Sequence, residues 1–399
     1  MINIKRLNAS TLAFYSACLF AFFSPVSITL AEIFFLLSLA AALYCAAREK
    51  GGIARFFALP AAAAVAVFCA WHIIAAAMGV DPARSLKDAR KIYLLLAMFS
   101  TAFILAQKGR LLPVLGFYAA GSAFVGLYAS ITTIAFRFVK GEAGFRASSF
   151  SGNHMHAGGM LMMGVVLLAG IAVYYLLKKE NRAALLFGAA SLVSALGLLF
   201  TFTRGSWLGA AAGLLILAVF ADRRLLIALL VAGIILFFGL KDTQFGQRAA
   251  DSFNPKQGSS AGERLYMWKA GIDIVKDNPL TGIGTGALEK VYPDYRYPEA
   301  VEMNAGHVHN NFIQAAVISG IPGLVFLLFL FVSIFAGFVK ALKKASKETK
   351  PLIYAFIAVV AAFFVNGFFE YNLFSSQVAL MLWMLTGAGF AAAGLDEEN

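Results

Sequence analysis

Long apolar runs separated by short charged stretches dominate the chain across residues 11–394. Most runs approach the roughly 20 residues that a helix needs to cross a bilayer. They lack the strict alternation of apolar and polar positions that a lipid-facing barrel strand requires. We therefore predict an all-α polytopic membrane protein with about twelve transmembrane helices. The expected spans lie near residues 10–27, 28–47, 57–78, 92–107, 111–135, 157–177, 183–202, 206–221, 224–240, 312–339, 352–369 and 377–394.

Basic residues fall mainly in every second loop between these runs, which predicts the orientation of the chain. Short loops rich in Lys and Arg stay in the cytoplasm, so we expect both termini on the cytoplasmic side of a bacterial inner membrane. Loop 79–91 departs from this rule because it carries four basic residues, yet reversing it would invert all the others. The loops expected on the periplasmic face are 79–91, 136–156, 203–205, 241–311 and 370–376.

Composition excludes a soluble protein, because 60% of the 399 residues are hydrophobic and only 14% are charged. The net charge of +12 does not indicate nucleic acid, since the basic residues are scattered among loops and form no single basic face. Membrane lipids are the expected surroundings. We treat residues 1–399 as one transmembrane domain, with a periplasmic loop, 241–311, inserted between spans 9 and 10.

The long outer loop contains one predicted amphipathic helix. Ser260 is its expected N-cap, and Glu263, three residues later, completes a capping box. Asn278 and Pro279 end the helix. Apolar residues recur at helical spacing and predict one stripe that is either buried or lies on the membrane: Leu265, Trp268, Ile272 and Val275. The following Gly282-Ile283-Gly284-Thr285-Gly286 is interpreted as a turn, because no strand precedes it and no Lys-Ser or Lys-Thr follows.

Three polar residues stand at the outer ends of predicted spans or helices and share one side of the membrane. Arg204 lies in a tight connection between two spans, Arg264 lies in the first turn of the outer helix, and His309 precedes the next span. Taken singly, an Arg at a span end often contacts lipid headgroups and an interfacial His is often structural. Taken together, guanidinium groups bind a diphosphate in bidentate fashion, and an imidazole titrates near neutral pH.

A metal or cofactor site is not expected. His154 and His156 are two residues apart, without a nearby cluster of Cys or carboxylate residues to complete a metal site. We interpret both as polar residues of a loop or pore mouth. The charge of a leaving diphosphate would therefore be met by arginine.

The same residues resemble the motifs of a known family. His309-Asn310, nine further residues, Gly320, two residues and Gly323 are similar to a signature of the bacterial O-antigen ligase and polymerase superfamily. Two other segments are similar to its remaining marks: Thr203-Arg204-Gly205-Ser206-Trp207, and the stretch from Gly262-Glu263-Arg264 to Trp268. The order of the motifs, the topology and the size of the outer loop agree with this resemblance over essentially the whole chain.

The resemblance implies a glycosyltransferase of lipopolysaccharide biosynthesis. Members take a glycan from undecaprenyl diphosphate at the periplasmic face and pass it to an acceptor, which for a ligase is lipid A-core. By resemblance, His309 is the base, and Arg204 and Arg264 hold the diphosphate. A second group of expected substrate contacts comprises Arg146, Glu370, His307 and Asn310.

The expected reaction is a direct displacement without metal, in which neutral His309 removes a proton from an acceptor hydroxyl and the anomeric configuration inverts. The chain length and the single long outer loop favour a ligase over a polymerase of the same superfamily. A transporter of lipid-linked sugars is a third hypothesis. It would need ionisable groups at mid-membrane, and Glu32 and His72 are the few candidates, neither with an obvious partner in the sequence.

Overall fold

The structure is a computed structural model, and it describes residues 8–227 apart from 143 and 151, residues 258–394, and a few single positions between them. The first described α-helices are α1 Ala9–Val26, α2 Ile28–Arg48, α3 Gly52–Phe56, α4 Ala62–Ala77, α5 Pro82–Ala89, α6 Leu96–Leu105, α7 Leu111–Thr133, α8 His154–Leu177, α9 Asn181–Phe200 and α10 Arg204–Phe220. After the gap come α11 Ser260–Asp277, α12 Leu288–Tyr295, α13 Asn311–Lys344, α14 Lys350–Asn366 and α15 Ser376–Ala392. A 3-10 turn, Arg90–Leu95, leads into α6, and a π-helical turn, Ile134–Val139, follows α7.

Six of the described helices are long and apolar enough to cross a membrane: α1, α2, α7 with its extension, α8, α9 and α13. Four shorter helices, α4, α10, α14 and α15, are also apolar. A helix satisfies its own backbone hydrogen bonds, as the bilayer interior requires. The all-helical, multi-pass class is therefore confirmed. The number of about twelve spans stays a prediction, and the expected span 224–240 lies largely outside the described residues.

Helices α8 and α15 form the centre of the bundle. Every residue of α15 from Gln377 to Ala392 is buried, and 78% of the apolar window of α8 is buried. Helix α9 lies at the periphery, where only 17% of its window is buried and Leu185, Leu186 and Leu192 are exposed. Exposed leucines on a long apolar helix are what a lipid-facing surface requires. The centre of the bundle is consequently packed protein, and the candidate site lies at one end of the bundle.

A break in α13 holds the outer segment, residues 258–310, against the bundle. Ser319 and Gly320 leave the helical conformation, and the backbone N–H of Ile321 donates to Pro279 O at 2.8 Å. Gly320 has a φ of +70°, and a Cβ atom there would lie 1.9 Å from Leu280 O. Only glycine fits such an approach. The first glycine of the predicted G-x-x-G motif therefore marks the place where the segment after α11 is anchored.

The outer helix α11 forms and ends at Asn278, as predicted, but its first turn differs from the expected capping box. The N-cap is Ser259, whose Oγ accepts from the N–H of Gly262. Glu263 reaches away from the cap and accepts from the backbone N–H groups of Val301 and Glu302. The prediction of Ser260 as cap was wrong because the helix begins one residue earlier than the Ser-x-x-Glu spacing suggests.

Two of the four residues of the apolar stripe predicted on α11 are exposed, and the other two, Trp268 and Val275, are partly buried against a hydrophobic cluster. Leu265 is 42% exposed and Ile272 is 47% exposed, whereas the buried face carries Met267, Ala270 and Ile274. The packed half fits the buried alternative for the stripe, and contact of the exposed half with the membrane surface stays a prediction.

Loop 79–91 lies against the same outer segment. Its helix α5 begins after Asp81, whose carboxylate accepts from the N–H of Arg84. The Val80 N–H donates to Ile283 O at 2.9 Å, and Arg84 pairs with Glu289 at 2.8 Å. The exceptional basic loop thus occupies the end of the bundle expected from the alternation of loops. Its assignment to the periplasm stays a prediction.

Candidate functional site

Three arginines from distant parts of the chain line one small cleft, which we call the arginine cleft: Arg146, Arg204 and Arg264. Arg204 is the first residue of α10, and Arg264 is the fifth residue of α11. A helix N-terminus presents unpaired N–H groups and partial positive charge. The cation of Arg204 at such an end is unfavourable on its own, and an anion bound in the cleft would offset this.

A strained backbone precedes Arg204. Phe202 has a φ of +52°, in the left-handed region that bulky residues rarely adopt. The tight turn is held by the Thr203 N–H, which donates to Thr201 Oγ1 at 3.2 Å, and by packing of the Arg137 guanidinium on the Phe202 ring at 4.4 Å. These contacts stabilise a turn that brings Arg204 to the cleft.

Arg146 enters the cleft from the irregular segment that follows α7. The neighbouring Ala147 N–H donates to Phe200 O at 2.9 Å, which ties the segment to the end of α9. Arg146 Nη1 lies 3.1 Å from His154 Nε2. Burial, together with the charges of Arg204 and Arg264, lowers the pKa of Arg146 below its ordinary value. Burial is the main cause of the lowered pKa and repulsion among the arginines adds to it, and a bound anion would relieve that repulsion.

Glu370 is the buried carboxylate of the cleft, and both of its oxygens face a cationic or titratable partner. Its Oε1 accepts from Arg264 Nη2 at 2.7 Å, and its Oε2 lies 3.5 Å from His309 Nδ1. Arg264 Nη1 also donates to Phe369 O at 2.7 Å. Burial acts to raise the pKa of Glu370, but His309 and Arg264 outweigh burial and hold this pKa below its ordinary value. Glu370 is therefore ionised and links the arginine to the histidine.

His309 lies just before α13 in a left-handed conformation, with a φ of +50°. Such a conformation costs a non-glycine residue about 1 kcal/mol or more. Asn310 fixes the turn, because its Oδ1 accepts from Phe312 N and Ile313 N while its Nδ2 donates to Phe368 O. With Nδ1 of His309 facing Glu370, the opposite ring nitrogen, Nε2, is the one that can accept a proton from a substrate.

His307 packs against His309 and against Tyr371, the residue that follows Glu370. Its ring centroid lies 4.2 Å from that of His309 and 5.3 Å from that of Tyr371. Burial, followed by the neighbouring His309, lowers the pKa of His307 to about 4. His307 is consequently neutral at neutral pH and adds no charge beside His309.

Asn311 was missed by sequence reasoning, although it holds the loop that carries Glu370. Its Oδ1 accepts from the N–H groups of Asn372 and Leu373 at 3.0 and 3.2 Å, and its own N–H donates to Gly367 O at 2.7 Å. The Asn-Asn pair at the start of α13 was visible in the sequence. Its partners, about sixty residues later, were not.

An apolar groove adjoins the arginine cleft. The groove has a volume of about 230 Å³ and is lined mainly by Leu208, Leu265, Trp268 and Phe369. Arg204 and Arg264 line both the groove and the cleft. A charged headgroup bound by the arginines would thus have an apolar surface beside it.

The structure brings five of the seven predicted site residues together around the arginine cleft: Arg146, Arg204, Arg264, His309 and Glu370. His307 lies one ring farther out. Asn310 has both ends of its side chain bonded to backbone, so here it acts as a helix cap, and its contact with substrate stays a prediction. Within the described residues, no three His, Cys, Asp or Glu side chains are grouped as a metal site.

The two residues that a transporter would need have partners, contrary to expectation. The Tyr93 hydroxyl donates to the Glu32 carboxylate. His72 Nε2 lies 3.3 Å from Thr285 Oγ1, and its ring stacks with those of Phe68 and Phe374. Both groups are therefore engaged in packing contacts within the protein.

Comparison with known proteins agrees with the motifs. Residues 189–328 match the model of the O-antigen ligase family, a range that includes Arg204, Arg264, His309, Gly320 and Gly323. The chain is 28% identical over 272 residues to the exopolysaccharide production protein ExoQ of Rhizobium meliloti (strain 1021), covering 65% of this chain and 52% of that protein.

A second relative is an uncharacterized protein of Haemophilus influenzae (strain ATCC 51907 / DSM 11121 / KW20 / Rd), 23% identical over 218 residues, which are 49% of this chain and 53% of the relative. The chain thus spans about half the length of the curated relatives that it matches. The family match and the relatives therefore agree with the resemblance to the O-antigen ligase/polymerase superfamily that the motifs indicate.

Proposed function

We propose that this protein transfers a glycan from a polyprenyl diphosphate, with undecaprenyl diphosphate as the carrier, to a hydroxyl group of a saccharide acceptor at the periplasmic face of the inner membrane. The observation that carries the proposal is the linkage Arg264–Glu370–His309 at the edge of a cleft lined by two further arginines. It joins a binding site for a diphosphate to a titratable nitrogen. The reaction class follows from having both in one site.

The donor binds with its diphosphate in the arginine cleft and the start of its lipid chain in the apolar groove. Guanidinium groups match phosphate oxygens in bidentate geometry. Leu208, Leu265 and Trp268 supply an apolar surface that adjoins the cleft. Because the diphosphate already activates the glycan, the reaction needs no nucleotide.

In the chemical step, Nε2 of His309 takes the proton of the acceptor hydroxyl. The oxygen forms a bond to the anomeric carbon while the bond from that carbon to the phosphate oxygen breaks, and the diphosphate leaves with the electron pair. The anomeric configuration inverts. Charge grows on the leaving group in the transition state, so the arginines stabilise that state more than the ground state.

Glu370 serves as the partner of both charged groups in this scheme. Its carboxylate orients the His309 ring and stabilises the imidazolium that forms when the proton is transferred. Its other oxygen fixes Arg264 toward the cleft. We therefore revise its expected role from a substrate contact to a positioning residue.

Lipid A-core is the proposed acceptor, which makes the protein an O-antigen ligase. The match to the O-antigen ligase family model supports this choice. A polymerase of the same superfamily is the second candidate, because one relative carries a name that refers to exopolysaccharide production. Both candidates use a sugar hydroxyl as the nucleophile and differ only in the molecule that carries it.

A reconstituted assay tests the reaction. The protein in lipid nanodiscs is mixed with undecaprenyl diphosphate-linked glycan and a lipid A-core acceptor, and the glycosylated acceptor is quantified. We expect wild-type turnover and no detectable turnover for His309→Ala. The exposed Lys290 of the same outer segment provides the control, since Lys290→Ala should retain wild-type activity. Full activity of His309→Ala with an unchanged melting temperature would remove His309 from the mechanism.

Cells lacking the protein distinguish the two acceptors. Loss of a ligase leaves bare lipid A-core while lipid-linked polymer accumulates. Loss of a polymerase leaves core that bears a single repeat unit. Gel analysis of lipopolysaccharide from the deletion strain, with complementation by the wild-type gene, separates these outcomes.

A further inference from the structure

A second polar cavity lies on the other side of the Glu370 loop and is not used by the donor. This cavity, which we call the outer pocket, has a volume of about 170 Å³. Its principal polar lining comes from α5 and its following turn, from the glycine-rich turn and α12, and from the Glu370 loop: Arg84, Asp88, Lys91, Thr285, Glu289 and Tyr371. Two of the four basic residues of loop 79–91, Arg84 and Lys91, thus line this pocket.

Consecutive residues of one loop separate the two cavities. Glu370 lines the arginine cleft, and Tyr371 lines the outer pocket. His307 fills the space between, because its ring lies against both Tyr371 and His309. The outer pocket therefore lies on the far side of His309 from the arginine cleft.

The segment that carries His309 also forms a wall of the outer pocket. Gly306 lines the pocket, and the Gln314 amide lines it while accepting from the Val308 N–H at 2.8 Å. Occupancy of the pocket is thus connected through only a few residues of chain to the position of the His309 ring.

The charges of the outer pocket are balanced and partly without protein partners. Arg84 and Glu289 form an ion pair. The side chains of Asp88 and Lys91 make no hydrogen bond or ion pair to any residue in the described part of the chain. The Asp88 carboxylate sits where glycine leaves room, since a Cβ at Gly286 would lie 2.2 Å from Asp88 Oδ2.

Such a lining suits a neutral ligand rich in hydroxyl groups. Carboxylates accept from hydroxyl donors and an ammonium group donates to hydroxyl oxygens, while an aromatic ring packs against the C–H face of a sugar. A diphosphate would gain no net attraction from a lining in which Asp88 and Glu289 balance Arg84 and Lys91. A volume of about 170 Å³ is below the range of roughly 300–1,000 Å³ that holds drug-sized ligands, and it is adequate for one sugar ring.

Inverting displacement requires the acceptor to approach on the side away from the leaving group. The leaving diphosphate is held by the arginines, so the acceptor must come from beyond His309. We propose that the outer pocket is the subsite for the acceptor saccharide and binds one sugar residue of the chain whose hydroxyl is glycosylated. This inference rests on the proposed function and adds the place of the acceptor to it.

Two variants of the pocket test the inference without changing the arginine cleft. Asp88→Asn keeps the shape and removes the charge that accepts hydroxyl hydrogens. Gly306→Leu fills the pocket from its exposed edge, where an added Cβ would be 3.5 Å from Glu289 Oε1, an ordinary contact. Lys87→Ala is the matched control, because Lys87 lies on the same helix, is exposed and does not line the pocket.

Steady-state kinetics in nanodiscs separate acceptor from donor. We expect each pocket variant to raise the acceptor KM by about tenfold or more, the size expected when a hydrogen bond to a charged group is lost. The donor KM and the kcat at saturating acceptor should stay within about twofold, as for loss of uniform binding, and Lys87→Ala should behave as wild type. Unchanged acceptor KM in a folded pocket variant overturns the inference, and each variant can decide the matter if the other fails to fold.

A binding measurement without donor keeps the two proposals distinguishable. Core oligosaccharide freed from lipid is titrated into the wild-type protein and into Asp88→Asn by isothermal calorimetry. Weaker binding to the variant, together with absence of transfer in the wild type, would support the pocket and refute the glycosyltransferase. Equal binding to both proteins, together with normal transfer, would refute the pocket alone.

Discussion

The arginine cleft and the outer pocket lie on opposite sides of one short loop and differ in how they manage charge. The cleft gathers three cations around one buried carboxylate. The pocket mixes cations and carboxylates in equal number. A lining with more cations than carboxylates favours an anionic ligand, whereas a lining with equal numbers favours a polar, uncharged one.

Burial separates the two regions as well. In the cleft, the side chains of Arg264 and Glu370 are 17% and 2% exposed, whereas Arg84 and Glu289 of the pocket are 46% and 56% exposed. An ion pair shielded from water is expensive to break, while an exposed pair contributes little. Breaking the Arg–Glu ion pair is therefore expected to cost more free energy of unfolding in the cleft than in the pocket.

The largest expected effect comes from changing the shape of a cation in the cleft. Arg264→Lys keeps the charge but loses the planar fork that contacts Glu370 and a diphosphate. We expect kcat/KM to fall about 10²- to 10³-fold, as for removal of one donor that stabilises transition-state charge. The matched control is Arg55→Lys at the opposite end of the bundle, where the exposed Arg55 pairs with Glu49. Turnover of Arg264→Lys within about threefold of wild type would contradict bidentate binding.

Removal of the buried carboxylate is expected to change stability and its dependence on pH. Glu370→Gln should lower the free energy of unfolding by about 3 kcal/mol near pH 7, because it leaves Arg264 without its buried partner. The equivalent Glu289→Gln in the pocket should cost less than about 1 kcal/mol.

The sign of the pH effect follows from the lowered pKa of Glu370. A depressed carboxyl pKa stabilises the folded state above the ordinary value of 4.5 and loses this contribution as the pH falls through the lower, folded value. Thermal melts from neutral pH to acid should therefore show a loss of stability in the wild type that is reduced in Glu370→Gln. Parallel curves for the two proteins would mean that Glu370 is not held ionised.

The sequence predicted the apolar helices well, because they depend on local pattern. Apolar runs of suitable length predict helices whatever their neighbours are. The three residues of the motifs, Arg204, Arg264 and His309, could be placed on one side of the membrane by counting loops. Their linkage through Glu370 could not be predicted, since the contact joins residues 106 positions apart.

The outer pocket was hidden from the sequence for a physical reason. Its charges come from the basic loop 79–91, which seemed only an exception to the rule of orientation, and from Glu289 beyond the glycine-rich turn. The turn itself was predicted. Its close contact with α5, shown by the bond from Val80 N to Ile283 O, depends on tertiary packing between segments about 200 residues apart.

A smaller expected effect tests whether the loop between the two regions serves both. Asn311 holds this loop through Asn372 and Leu373. Asn311→Ala leaves two buried N–H groups unpaired and should destabilise the protein by about 2 kcal/mol. Because Glu370 and Tyr371 precede the bonded residues directly, we expect the KM values of donor and acceptor to rise together by a few-fold. Kinetics with each substrate varied in turn measure this, with Asn304→Ala at an exposed position as control. A rise confined to one substrate would mean that the loop positions only one of the two cavities.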